Sequence, residues 1–224
     1  MRLFCFSDTH QRALPECKPA PDVWLFAGDL YDKPDRGSLT TEDVEFRRAV
    51  QAWRNTHPQP IYAVKGNHDL HDRANFFGQS VDLTDGDIRH LGNDLFVAGL
   101  GWTGQHFFEL PLETHLIDRC LRIEDEWARL GRRGRLILMT HYPPNDPKVI
   151  PYMGENNGFF YDCIRNLIDE VRPVAVIVGH SHVHFGLVTR MGDSVVVFPG
   201  RNGRMLTVED DRVDISQLQT LNAF

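Results

Sequence analysis

The stretch FCFSDTH, running from Phe4 to His10, decides how this chain is read. An apolar run suited to a strand covered on both faces ends on an aspartate and, two residues later, a histidine. Packing requires neither, so the test is whether the ending recurs. It does. Val23–Ala27 leads into Gly28-Asp29-Leu30-Tyr31-Asp32, and Ile61–Val64 into Lys65-Gly66-Asn67-His68-Asp69. Leu136–Met139 leads into Thr140-His141, and Val174–Val178 into Gly179-His180-Ser181-His182. In α/β sheets, ligands bind beyond the C-terminal ends of parallel strands. If these runs are neighbouring parallel strands, their last residues converge on one spot. Glycine before Asp29, Asn67 and His180 suits tight turns and close backbone approach.

Helical patterns separate the runs. Thr41 to His57 opens with Thr and acidic residues and spaces Val44, Ala49, Val50 and Trp53 for one face. Leu112 to Leu130 and Phe159 to Val171 do the same, the latter stopping before Pro173. After Val178 the texture changes. Phe185–Arg190, Ser194–Phe198, Met205–Glu209 and Val213–Ser216 are short runs broken by Gly, Asp and Asn, which predict an antiparallel meander. Leu95–Leu100 adds a further strand. The expectation is an α/β layered fold with a β-rich C-terminal quarter. No repeat or flexible linker interrupts it, so 1–224 reads as a single domain.

Composition narrows the class. A chain of 224 residues with 42% hydrophobic and 25% charged side chains is ordinary for a globular protein with a sizeable core. No apolar run approaches the roughly 20 residues a bilayer requires, and the N-terminus lacks a signal peptide's features. Cys5, Cys17, Cys120 and Cys163 show no CxxC spacing, so a reduced, cytoplasmic protein is the simplest expectation. The net charge of -7 disfavours a general polynucleotide binder.

Imidazoles with carboxylates suit Mn, Fe, Zn, Co or Ni. Asp8, His10, Asp29, Asn67, His141, His180 and His182 are too many donors for one ion, whereas two ions about 3.5–4 Å apart that share a carboxylate use them all. Each block alone has a commonplace reading, Asp8 as a helix cap or turn acceptor and His141 as a hydrogen-bonded histidine. Five blocks, each at a strand end, do not.

The ordered set Asp8-x-His10, Gly28-Asp29-x-x-Asp32, Gly66-Asn67-His68-Asp69, His141 and Gly179-His180-x-His182 resembles the calcineurin-like metallophosphoesterase superfamily. That resemblance implies a sheet sandwich flanked by helices. It also implies one metal on Asp8, His10, Asp29 and His182 and a second on Asp29, Asn67, His141 and His180, with Asp29 bridging. His68 would face the scissile phosphate and give a proton to the leaving oxygen, oriented by Asp69. Asp32 and Asp69 read equally as acceptors that orient a histidine or as turn residues.

Departures from the pattern refine it. Lys33 stands where the phosphoprotein phosphatases carry arginine, and Asp69 where they carry glutamate, which argues against that branch. His68 argues against the UDP-diacylglucosamine pyrophosphatase branch, which has arginine there. Phe198-Pro199-Gly200-Arg201 resembles the Pro-Gly-Ser turn of many bacterial members, with Arg201 in place of serine. His184 continues the alternation of His180 and His182, and the resemblance assigns it nothing.

The function expected is a two-metal hydrolase of a small soluble phosphate ester, a phosphodiesterase or phosphomonoesterase. Mn²⁺ is the first choice of cation, ahead of Fe, Zn, Ni, Co or Mg. A nuclease is the alternative, and a non-catalytic scaffold is weaker, since His68 and the donor set are intact. Substrate choice is expected from 70–134. Phe76, Phe77, Trp102, Phe107 and Phe108 there are read first as core, with Tyr142-Pro143-Pro144 and Gly154–Tyr161 as a rim.

Overall fold

In the computed structural model, residues 1–32, 40–69, 77–102, 113–149, 161–210 and 212–216 are described. Lys33, His71, Phe76, His106, Phe107, Phe108 and 154–160 therefore lie outside the described residues.

Strand β1 (Arg2–Phe6) shows why the opening run is apolar at every position. Leu3 and Cys5 point into a layer shared with a second sheet, and Phe4 and Phe6 point the other way, towards a helix. Both faces are buried, so neither can be polar. β2 (Val23–Phe26) and β3 (Ile61–Ala63) run parallel to β1, and β4 (Val81–Asp82) extends the same direction. With β11 (Arg204–Glu209) and β12 (Arg212–Ser216), the first sheet has the order β12-β11-β1-β2-β3-β4. The second has the order β5-β6-β7-β8-β10-β9. Its members are β5 (Asp85–Gly92), β6 (Leu95–Leu100), β7 (Arg135–Thr140), β8 (Ala175–Val178), β9 (Val188–Met191) and β10 (Ser194–Val197). β6, β7, β8 and β10 are mutually parallel.

The two sheets face each other through Leu25, Val64, Val97, Ile137, Ala175, Ile177 and Leu206, all buried. Helix α1 (Thr41–Thr56) covers the outer face of the first sheet. There Phe6, Trp24, Phe26, Trp53 and Phe77 form a continuous aromatic cluster with ring centroids 4.9–6.2 Å apart. The helix is started by a capping box: Thr40 Oγ1 accepts from the Asp43 amide, and the Asp43 carboxylate accepts from the Thr40 amide. Helices α2 (Glu113–Arg129) and α3 (Asp162–Val171) cover the other sheet, with Leu116, Ile123, Trp127, Ile164 and Leu167 buried. The layers are thus helix, sheet, sheet, helix.

Two expectations need correction. The C-terminal strands form no single meander, because β9 and β10 pair as a hairpin in the second sheet while β11 and β12 pair as a hairpin in the first. Second, β5 went unread: Asp85–Gly92 is an edge strand with alternating exposure, too polar to look like the buried strands. Phe77 and Trp102 are core, as expected. His57 is buried, with its ring stacked 4.3 Å from that of Trp53 and its Nδ1 2.8 Å from the Trp53 carbonyl.

Ile137 sits fully buried between the sheets. Ile137→Ala should cost about 2–5 kcal/mol of stability, read from urea unfolding of both proteins. A loss below about 1 kcal/mol would contradict its place in the shared core.

Candidate metal centre

The five polar strand endings come together, and from both sheets. Asp8, Asp29 and Asn67 follow β1, β2 and β3 of one sheet, while His141 and His180 follow β7 and β8 of the other. The chain must turn sharply as each strand stops. Asp8, His10, Asp29 and His180 all take left-handed backbone conformations, with φ of 53°, 46°, 62° and 63°. Such conformations persist in non-glycine residues only where the surroundings enforce them, and they concentrate at functional sites.

Glycines permit the approach of the two sheets. A Cβ on Gly179 would lie 2.4 Å from the Ala27 carbonyl oxygen, and one on Gly66 would lie 2.0 Å from Asp29 Oδ1. No side chain fits either place.

The donors form three overlapping groups, each with its ligand atoms within 4.8 Å of one another: Asp8, His10 and His182; His10, Asp29 and His68; and Asp29, His141 and His180. Asn67 joins the last group, its Oδ1 lying 3.0 Å from His141 Nε2 and 3.0 Å from His180 Nδ1. Asp29 Oδ2 is 3.4 Å from His141 Nε2 and 3.9 Å from His10 Nε2, so this one carboxylate faces both sides of the cluster. All seven expected donors are therefore in one place, and His68 lies against them.

Backbone carbonyls aim the histidines. The Nδ1 atoms of His10, His68 and His141 lie 3.1, 2.6 and 2.8 Å from the carbonyl oxygens of Tyr31, Asp32 and Ala27. A proton on Nδ1 donated to each carbonyl leaves Nε2 pointing at the centre, the arrangement a ligating imidazole needs. Asp69, expected to orient His68, does something else. Its carboxylate is buried and accepts from the amides of Asp29 (2.7 Å), Leu30 (2.9 Å) and Gly66 (2.9 Å). It ties the second loop to the third, and His68 turns to the Asp32 carbonyl instead. Asp32 thus orients histidine through its backbone, and its exposed carboxylate stands 3.8 Å from His10 Nδ1.

The charge balance follows from burial. Burial works to raise the Asp29 pKa, yet His141, His68 and His10 overcome it and hold the carboxyl well below the usual range. Burial works to lower His141, but the Asp29 charge and hydrogen bond lift it to about 9. Burial and the charge of His141 press His180 down to about 3, which favours the neutral ring. Burial and then the Asp29 charge push Asp69 up to about 7, against the pull of its amide donors.

These residues fit divalent cations. Among the described residues Asp8 Oδ2 is buried without a hydrogen-bond partner, although its other oxygen accepts from the His180 amide at 2.9 Å. The Nε2 atoms of His10 and His182 face each other at 2.9 Å beside it, two nitrogens that can each offer a lone pair. An orphaned carboxylate oxygen among converging imidazoles is the donor chemistry of a Mn-, Fe- or Zn-type site.

With this geometry in hand, comparison with known proteins is direct. The calcineurin-like phosphoesterase family model matches residues 1–184. The chain belongs to this family. A curated relative, UPF0046 protein K07C11.7 of Caenorhabditis elegans, is 22% identical over 204 residues, which are 84% of this chain and 66% of that relative, just under two thirds of its length. TT1561 of Thermus thermophilus shares the fold with a TM-score of 0.65 at 16% identity, covering 96% of this chain and 97% of that one. The phosphopantetheinyl hydrolase PptH of Mycobacterium tuberculosis does so with a TM-score of 0.53 at 13% identity, covering 88% of each.

Sequence reasoning missed the carbonyls of Ala27, Tyr31 and Asp32, and no signal could have shown them, since every residue carries a carbonyl. It also missed His184, which is buried between Ser181 Oγ (2.5 Å from Nδ1) and the Val149 carbonyl (3.0 Å from Nε2) and anchors the turn that carries His182. Tyr142, Pro143 and Pro144 are buried and form no exposed rim.

Asp69→Ala would strand three buried amides without acceptors. It should lower stability by roughly 3 kcal/mol or more and reduce bound metal, read by chemical denaturation and metal analysis. Unchanged values in both would remove Asp69 from its bracing role.

Proposed function

We propose that this phosphoesterase works with two divalent cations bridged by Asp29 and hydrolyses a small, soluble phosphodiester or phosphomonoester. The observation that carries the reading is the position of Asp29, whose Oδ2 lies between His10 and His141 and so belongs to two donor groups at once. One ion would be held by Asp8, His10, Asp29 and His182. The other would be held by Asp29, Asn67, His141 and His180. Mn²⁺ is the cation proposed first, because the mixed carboxylate, amide and imidazole set suits it. Bound there, the cations would neutralise charge on the phosphoryl oxygens and acidify water.

The protein's own groups do the rest. The amide of His68 donates to Asp29 Oδ1 at 2.8 Å, which pins this residue to the cluster. With Nδ1 turned to the Asp32 carbonyl, Nε2 is the His68 atom that would pass a proton to the leaving oxygen. The ring stands 4.7 Å from that of His10, at the edge of the donor set, where a leaving oxygen would take that proton. Asp8, Asp29 and the buried layer beneath them hold the phosphate-binding face rigid. The reading extends to one catalytic domain over 1–224, with 70–134 on the substrate side. A reducing, cytoplasmic setting is part of this reading, since Cys5, Cys17, Cys120 and Cys163 are all buried and no disulfide joins them among the described residues.

Purified protein should turn over bis-p-nitrophenyl phosphate or p-nitrophenyl phosphate, lose that activity on chelation and regain it with Mn²⁺. No turnover of either ester with any divalent metal would favour a scaffold of the same fold. His68→Asn should cut kcat by roughly 10²–10⁴-fold while metal content stays at the wild-type level. A variant with undiminished kcat would exclude His68 as the proton donor.

A further inference from the structure

We infer that Val183 and Phe185 form an apolar lip that receives a flat, apolar organic group of the ester, so that the substrate class is phosphate esters of aromatic or similarly flat alcohols. This rests on the phosphoesterase reading above and deepens it.

The two side chains sit on a short 3-10 turn, His182–His184, and on the residue that closes it. Val183 is 68% exposed and Phe185 38% exposed. Both flanking histidines of Val183 are engaged, His182 in the donor cluster and His184 in the interior. Core packing therefore explains neither the valine nor the open side of the phenylalanine. Isolated exposed apolar residues are common, but these are placed with care. The Phe185 ring lies 5.0 Å from the His182 ring at an interplanar angle of 39°. On its other side it rests on Gly200, where an added Cβ would come within 2.5 Å of the ring. The Gly200 carbonyl in turn accepts from the Ser7 amide at 3.1 Å, next to Asp8. The phenyl ring thus lies against His182 and against the Gly200 turn, whose carbonyl is hydrogen-bonded to the residue before Asp8.

The substrate's geometry does the remaining work. In a phosphate ester, one oxygen separates phosphorus from the first carbon. A phosphate engaged at the Asp8, His10 and His182 group would hold its ester substituent one oxygen away from that group, within reach of Phe185, whose ring lies 5.0 Å from that of His182, and of its neighbour Val183 on the same turn. A flat ring there loses water against two apolar side chains. Arg201, exposed on the turn after Gly200, borders the lip with positive charge.

Calorimetric titration of the Mn²⁺-loaded protein with phenyl phosphate and with methyl phosphate tests the lip without depending on turnover. Phenyl phosphate should bind roughly three- to tenfold more tightly, the value of one good aromatic contact. Val183→Ser should remove much of that preference with methyl phosphate affinity and metal content unchanged, and Phe185→Leu should remove most of it. Val183 is exposed enough that its substitution leaves the fold intact. Equal affinities in the wild type, or a preference that survives both substitutions, would overturn the lip while nitrophenyl ester hydrolysis still upheld the phosphoesterase reading. If neither monoester bound and neither nitrophenyl ester were hydrolysed, that reading would fall and the lip with it.

Discussion

The carboxylate of Asp29 is the constraint on which the rest depends. It is buried at the seam where two six-stranded sheets end, and it meets a histidine delivered by the opposite sheet. A buried anion without partners is prohibitively costly. Here Oδ1 has the His68 amide, and Oδ2 has the imidazole of His141 and, slightly farther, that of His10. Its own backbone amide is held by Asp69. Both ends of one residue are therefore clamped, and the clamp joins the loops after β2 and β3 to the loop after β7.

The fold and the site share the same atoms. The carbonyl of Ala27, one residue beyond β2, receives the His141 ring, and a Cβ on Gly28 would lie 2.6 Å both from His141 Nδ1 and from the Gly66 amide nitrogen. Sheet separation, histidine orientation and backbone conformation are set together at this point. The left-handed turns at Asp8, Asp29 and His180 are tolerated because strands buried on both sides anchor them. Wide apolar layers secure a small polar cluster that local preference alone would never form.

Much of this was legible beforehand because buried strands announce themselves. Runs such as Phe4–Phe6 and Val174–Val178 are apolar on both faces, and polar residues that end them have few structural reasons to be there. The seven residues that the structure gathers could be named on that basis. What stayed hidden was of two kinds. Pairing between distant strands is not a property of a short window, so the division of β10 and β11 between different sheets left no mark. Roles played by the backbone are equally silent, as with the Asp32 carbonyl that takes the part expected of the Asp69 carboxylate. Asp85–Gly92 was missed because an edge strand with one wet face carries half the apolar signal.

The pairing of β1 with β11 has a consequence for assembly. Arg2 lies opposite Thr207 and Leu3 opposite Leu206, and the terminal amine reaches the Val208 carbonyl at 2.8 Å. The strand that ends in Asp8 thus gains its second neighbour only from residues about two hundred positions later. On the ribosome, the first donor is made long before the hairpin that steadies it. Such distant closure makes folding slow, and it leaves the first strand with one neighbour until residues 204–207 have been made.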